Sequence, residues 1–122
     1  MKIKELLSIC GKDDVNERGA LIYYDCSGRS KNPKTITLHE EDIEFDSESE
    51  NVTITFNLPP KGEDDKRNTT ISVKDLSDYA VKNNALDYFI TIKVIDGEFI
   101  LSTSLSKYDV CFDDCRWVYL CY

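Results

Sequence analysis

Thr35-Ile-Thr-Leu-His-Glu-Glu-Asp-Ile-Glu-Phe-Asp46, continuing into Asn51-Val-Thr-Ile-Thr-Phe56, returns later in altered form. The second occurrence is Ser102-Thr-Ser-Leu-Ser-Lys-Tyr-Asp-Val-Cys-Phe-Asp113, continuing into Trp117-Val-Tyr-Leu-Cys-Tyr122. Leu38 matches Leu105, Asp42 matches Asp109, and Phe45-Asp46 matches Phe112-Asp113. After the loss of one loop residue, Val52, Ile54 and Phe56 match Val118, Leu120 and Tyr122. Alternating apolar residues on both sides of a short polar turn read as a β-hairpin, so the pattern is that of a duplicated hairpin.

The similarity extends upstream. Ile3-Lys4-Glu5-Leu6 resembles Val73-Lys74-Asp75-Leu76, and strands ending in an acid and a turn glycine follow in both halves, Tyr23-Tyr24-Asp25 to Gly28 and Val94-Ile95-Asp96-Gly97. Self-similarity at a period too long for a solenoid points to two structural units. The expected fold is therefore α+β, with two pseudo-repeats, each a short helix followed by about four mostly antiparallel strands. The boundaries are residues 1–57 and 71–122, joined by a polar linker at 58–70 that carries Pro59-Pro60, Gly62 and the charge run Lys61 to Arg67. Units this small bury little surface alone, so the two are expected to pack as one body.

Local signals fill in the elements. Ile3, Leu6, Leu7 and Cys10 follow the i, i+3, i+4, i+7 spacing of an amphipathic helix over 2–10, with Gly11 as its C-cap. Ser72 with Asp75 forms a capping signal for a helix that buries Val73, Leu76 and Ala80 and ends near Asn83-Asn84. Tyr88 to Ile95 is the longest strand signal, and Asp96-Gly97 marks a tight hairpin turn. The expected core comprises Leu6, Leu7, Leu21, Tyr23, Ile43, Phe45, Val52, Ile54, Leu76, Ile92, Val94, Val110, Phe112, Val118 and Leu120.

A net charge of −8 in 122 residues disfavours direct contact with nucleic acid or anionic membranes, where basic surface supplies the affinity. It suits a basic protein partner reached by electrostatic steering. No apolar run approaches a membrane span or a signal-peptide core, and the expected compartment is the cytoplasm. Cys10, Cys26, Cys111, Cys115 and Cys121 are scattered and odd in number, which fits free thiols in a reducing compartment.

Three features bear on function. Glu40, Glu41, Asp42, Glu44, Asp46, Glu48 and Glu50 crowd the first hairpin. On a strand, alternate residues share a face about 6.6 Å apart, close to the spacing of phosphates along a nucleic-acid strand. A carboxylate row at that spacing can imitate nucleic acid before a basic groove. The plainer account is a solvated face, or an edge strand blunted against pairing. The second feature is aromatic: where the first hairpin has Asn51, Thr53 and Thr55, the second has Trp117, Tyr119 and Cys121. Such a face is either covered by the other half of the chain or is a partner or homodimer seam, with Trp117 and Tyr119 as its contact residues; an oligomer assembled through this strand would add Tyr122. The third is Cys111, Cys115 and Cys121, which lacks the paired knuckles of a zinc site, although Cys111 and Cys121 fall on strands expected to pair. A lone histidine, His39, and the absence of nucleophile, P-loop or zincin motifs leave no catalytic set, and neither cofactor nor metal is expected.

In its acidity, its tolerance of cysteine, its Met1-Lys-Ile-Lys-Glu-Leu-Leu7 start and its Lys/Asn/Asp/Ile-rich composition, the chain resembles the small phage-encoded proteins that block bacterial defence systems, anti-CRISPR inhibitors among them. The resemblance is one of composition. It implies a non-catalytic inhibitor in a bacterial host cell that binds a basic, nucleic-acid-handling protein, often in its nucleic-acid groove. The alternative is a homo-oligomeric structural or accessory phage protein that assembles through the aromatic C-terminal strand.

Overall fold

The computed structural model describes residues 1–12, 20–24, 35–59, 71–112 and 117–121, with side chains over 1–11, 37–59 and 71–110. The chain is α+β. Its elements are α1 (Ile3–Lys12), β1 (Ala20–Tyr24), β2 (Thr35–Thr37), a 3₁₀ turn (Glu40–Asp42), β3 (Ile43–Asp46), β4 (Asn51–Asn57), α2 (Val73–Lys82), β5 (Phe89–Asp96), β6 (Phe99–Ser104), a second 3₁₀ turn (Lys107–Asp109), β7 (Val110–Phe112) and β8 (Trp117–Cys121).

Both helices form where apolar residues recur at helical spacing and an acid caps the first turn. In α1, Ile3, Leu6 and Cys10 are fully buried, and the Glu5 carboxylate accepts a hydrogen bond from the Lys2 amide at 2.9 Å. In α2, Val73, Leu76 and Ala80 are fully buried. The Ser72 hydroxyl accepts from the Asp75 amide at 3.1 Å, and the Ser72 amide donates back to the Asp75 carboxylate at 2.8 Å. This reciprocal capping satisfies two amides that have no partner within the helix. The far end of α2 closes with Asn84 in the left-handed region (φ 52°). The Asn84 amide donates to Val81 O and the Ala85 amide to Ala80 O, the paired bonds of a Schellman motif. Gly11 lies inside the last turn of α1, which continues to Lys12. The glycine is therefore helical and does not end the helix.

The strands form two four-stranded sheets, ordered β3-β4-β5-β6 and β2-β1-β8-β7. Each is made of two antiparallel hairpins joined along a parallel pair, β4 with β5 in one sheet and β1 with β8 in the other. Strands on either side of residues 60–70 thus share both sheets. A parallel pair needs a long crossover, and α2 lies in the one between β4 and β5. The β5–β6 hairpin turns on Gly97-Glu98, with Asp96 already paired to Phe99. Gly97 has φ +59° and Glu98 does not share it, the pattern of a turn that takes glycine at its first central position.

β4 and β5 supply the centre of the first sheet, and Val52, Ile54, Phe56, Ile90, Ile92 and Val94 point into the core with Ile3, Leu6, Val73, Leu76 and Ala80. Leu38 and Leu105, each next to a 3₁₀ turn, are buried with them, while Leu7, Ile43, Phe45 and Val110 pack at the margin. The expected core residues Leu21, Tyr23, Phe112, Val118 and Leu120 lie outside the described side chains.

Candidate partner-binding surface

The acidic hairpin is built from the 3₁₀ turn, β3, a four-residue loop and β4, in antiparallel register with Glu44 opposite Thr53 and Asp46 opposite Asn51. No lysine or arginine occurs between Lys34 and Lys61. Glu40, Glu41, Glu44, Asp46, Glu48 and Glu50 are all exposed. The alternation of β3 is as the sequence implies, with Ile43 and Phe45 turned toward the core margin and Glu44 and Asp46 toward solvent.

Two of the seven acids have a structural task. Asp42 is 8% exposed, and its carboxylate accepts from the His39 amide at 3.0 Å, closing the 3₁₀ turn that redirects the chain into β3. The His39 Nδ1 atom, buried, lies 3.9 Å from this carboxylate, beyond hydrogen-bond reach. Asp42 is therefore a cap and is not presented at the surface with its neighbours. Asp46 is exposed, but its carboxylate accepts from the amides of Glu48 at 3.0 Å and Ser49 at 3.4 Å. The Ser49 hydroxyl foremost, then these amides, hold the Asp46 carboxyl below its ordinary range. The carboxylate stays charged while it fixes the loop, and Glu50 completes that loop with φ 51°.

Glu44 stands in a row across the sheet, Glu44–Thr53–Thr91–Ser104, and the adjoining row is Asp46–Asn51–Phe89. The rows are tied together. Thr91 donates its hydroxyl hydrogen to Asn51 at 2.9 Å, and the Asn51 amide group lies 3.4 Å from the Thr53 hydroxyl. The next row carries Lys93, between Thr55 and Ser102, the one basic side chain on the solvent face of these four strands. At the other end of the acidic run, Glu40 lies near Tyr79 of α2, whose hydroxyl pKa is raised first by burial and then by the Glu40 charge.

The aromatic residues of the second hairpin fall differently. β8 is hydrogen-bonded on both sides, parallel to β1 and antiparallel to β7. Trp117 pairs with Ala20, and Tyr119 with Ile22 and Cys111. The backbone edges of β8 are therefore occupied, and another chain cannot add to the sheet there. The side chains of Trp117 and Tyr119, and Tyr122 entirely, lie outside the described residues. Cys111 stands opposite Tyr119, and Cys121 falls two places farther along β8, so the two cysteines are not directly cross-strand partners. Cys115 and Cys26 lie outside the described residues. Cys10 is a buried core thiol.

Lys4 and Asp87 form an exposed ion pair at 2.6 Å, which raises the lysine pKa and lowers that of the carboxyl. A shallow open depression beside it is lined by Met1, Lys4, Glu5, Ser8, Ile9 and Lys107. Among the described residues no three His, Cys, Asp or Glu side chains converge as metal ligands would, and no helix is long and apolar enough to cross a membrane.

The sequence did not mark Asp42 as a cap or His39 as its half-buried neighbour. The signal was present: Asp42 and Asp109 occupy the same place in the recurring stretch, each ending a short turn. No family model matches the chain, and neither a curated protein nor a solved structure matches it.

Proposed function

We propose that the protein is a non-catalytic, acidic inhibitor that binds a basic nucleic-acid-handling protein by imitating nucleic acid, as an anti-CRISPR-like phage anti-defence factor acting in the cytoplasm of a bacterial host cell would. The supporting observation is the set of exposed carboxylates Glu40, Glu41, Glu44, Asp46, Glu48 and Glu50 on a hairpin whose backbone is fixed by Asp42 and Asp46. A backbone held in advance lowers the ordering cost of binding. It also places negative charge at strand spacing, where a basic groove expects phosphates.

The test uses the protein as bait for lysate of a bacterial host at low and high salt. A basic nucleic-acid-handling protein retained at low salt and lost at high salt is expected, since exposed charges are screened. Glu44→Lys with Glu48→Lys should abolish retention while leaving the fold intact, because neither side chain holds the loop. Asp46→Lys is a poorer probe, since it also breaks the turn. Retention that ignores both salt and charge reversal would sink the proposal.

The same reading includes a duplicated architecture, with 1–57 and 71–122 as copies of one unit and 58–70 as their linker. Its support is the coincidence of small details. The Met1 nitrogen donates to Leu105 O at 2.9 Å and the Ile71 amide to Leu38 O at 2.8 Å. The acid caps of α1 and α2 correspond, as do those of the 3₁₀ turns, where Asp109 accepts from the Ser106 amide at 2.9 Å. The register Ile43–Ile54 corresponds to Val110–Leu120, Val52–Ile90 to Val118–Leu21, and Ile36–Tyr23 to Thr103–Ile92. By these registers Tyr23 corresponds to Ile92, two residues from its match by sequence.

A further inference from the structure

The geometry points to β6 as a self-pairing edge through which two copies of this chain form a two-fold, antiparallel dimer. β6 pairs only with β5 among the described residues, and its Phe99, Ile100 and Leu101 are 76%, 60% and 39% exposed. Apolar edge strands invite another strand, and proteins normally blunt them with charge, proline or a bulge. The opposite edge of the same sheet, β3, is blunted by Glu44 and Asp46. Phe99-Ile-Leu-Ser-Thr-Ser104 carries no charge and no proline.

Charge selects both the occupant and its direction. A chain of net charge −8 repels its own copy at most approaches, but a strand without charge places no like charges opposite each other. The turn end of β6 carries Asp96 and Glu98, and the other end leads into Lys107. Lys107 is exposed, and its ammonium rests over the Tyr108 ring at 5.1 Å. Antiparallel pairing brings the Glu98 end of one copy to the Lys107 end of the other, twice by symmetry. Parallel pairing would set Glu98 beside Glu98. The dimer continues the sheet across the seam and leaves an acidic hairpin at each outer end, so it stands independently of the function proposed above and presents that surface twice.

A six-residue strand spans about 20 Å, and an interface of that length lies at the small end of specific interfaces. Association is therefore expected to be weak and concentration-dependent. Sedimentation equilibrium of the whole protein, from low micromolar to near-millimolar concentration, should show the mass rising from 14.0 kDa toward twice that value. Phe99→Lys with Ile100→Lys should weaken association by about tenfold or more. Ser102→Lys, a change at an exposed polar position of the same edge, should weaken it in the same direction and serves if the double variant fails to fold. Lys107→Glu should weaken dimerisation, and adding Glu98→Lys should restore it. A mass of 14.0 kDa at every concentration, growth beyond two copies, indifference to the β6 variants, or failure of the charge swap to restore the dimer would each overturn the assignment.

Discussion

Asp42, Asp46 and Glu50 belong to one acidic run, yet each is held by different physics. Asp42 is buried because an amide without a helix partner needs its carboxylate. Asp46 is exposed and tethered. Glu50 occupies a left-handed conformation that costs a non-glycine residue about 1 kcal/mol or more. Glu50→Gly is accordingly expected to raise stability by up to about 1 kcal/mol in urea denaturation, net of the entropy glycine adds to the unfolded chain. A fall in stability would show that the Glu50 side chain has a stabilising role. The Asp46 carboxyl is held below its ordinary range when folded, so between its folded and unfolded pKa values the unfolded chain binds more protons. The stability it contributes is present above the unfolded value of about 3.9 and is lost as pH falls through the folded value. Thermal melts of the wild type and Asp46→Asn should therefore differ above about pH 4 and converge below it. Sequence position alone could not distinguish these acids, because capping is decided by which amide a carboxylate reaches.

At the scale of elements, much of the architecture was legible and its pairing was not. α2 was readable because its spacing, Ser72–Asp75 cap and Asn84 end all agree. α1 ran past Gly11, since a glycine near a helix end is a stop only when its backbone takes positive φ. Hairpins join strands close in sequence, so β3–β4 and β5–β6 could be drawn from turn residues. The parallel pairings β4–β5 and β1–β8 join distant strands, and local pattern carries no trace of such partners. Leu38 and Leu105 match each other in the recurring stretch, yet the sequence does not place them in the core, because each sits between a strand and a turn where periodicity lapses. Both are almost wholly buried, 0% and 2% exposed. Leu38→Ala and Leu105→Ala should each cost about 2–5 kcal/mol by loss of contacts and opening of a cavity, read from chemical denaturation midpoints. A loss below about 1 kcal/mol at either position would mean that the core closes around the gap. The exposure of Phe99, Ile100 and Leu101 was equally hidden, since three apolar residues in a strand normally signal burial.

For the whole molecule, charge is the property most visible from composition and the one on which the proposed function rests. The net charge of −8 is concentrated on one hairpin by a stretch without lysine or arginine, and the sheet behind it is tied by the Asn51 and Thr91 hydrogen bond. The aromatic residues Trp117 and Tyr119, an equally visible feature of composition, belong to a strand with both edges filled. Addition of another strand at β8 is thereby blocked, while the acidic hairpin stands at an edge of its own sheet. Mimicry requires more than binding: the protein and nucleic acid must exclude one another. The most direct measurement is competition between this protein and a labelled DNA or RNA oligonucleotide for the basic partner it captures, followed by fluorescence anisotropy at two salt concentrations. Complete displacement of the oligonucleotide, weakened by salt and absent with Glu44→Lys and Glu48→Lys, is the predicted result. A ternary complex, in which the oligonucleotide stays bound at saturating protein, would contradict it.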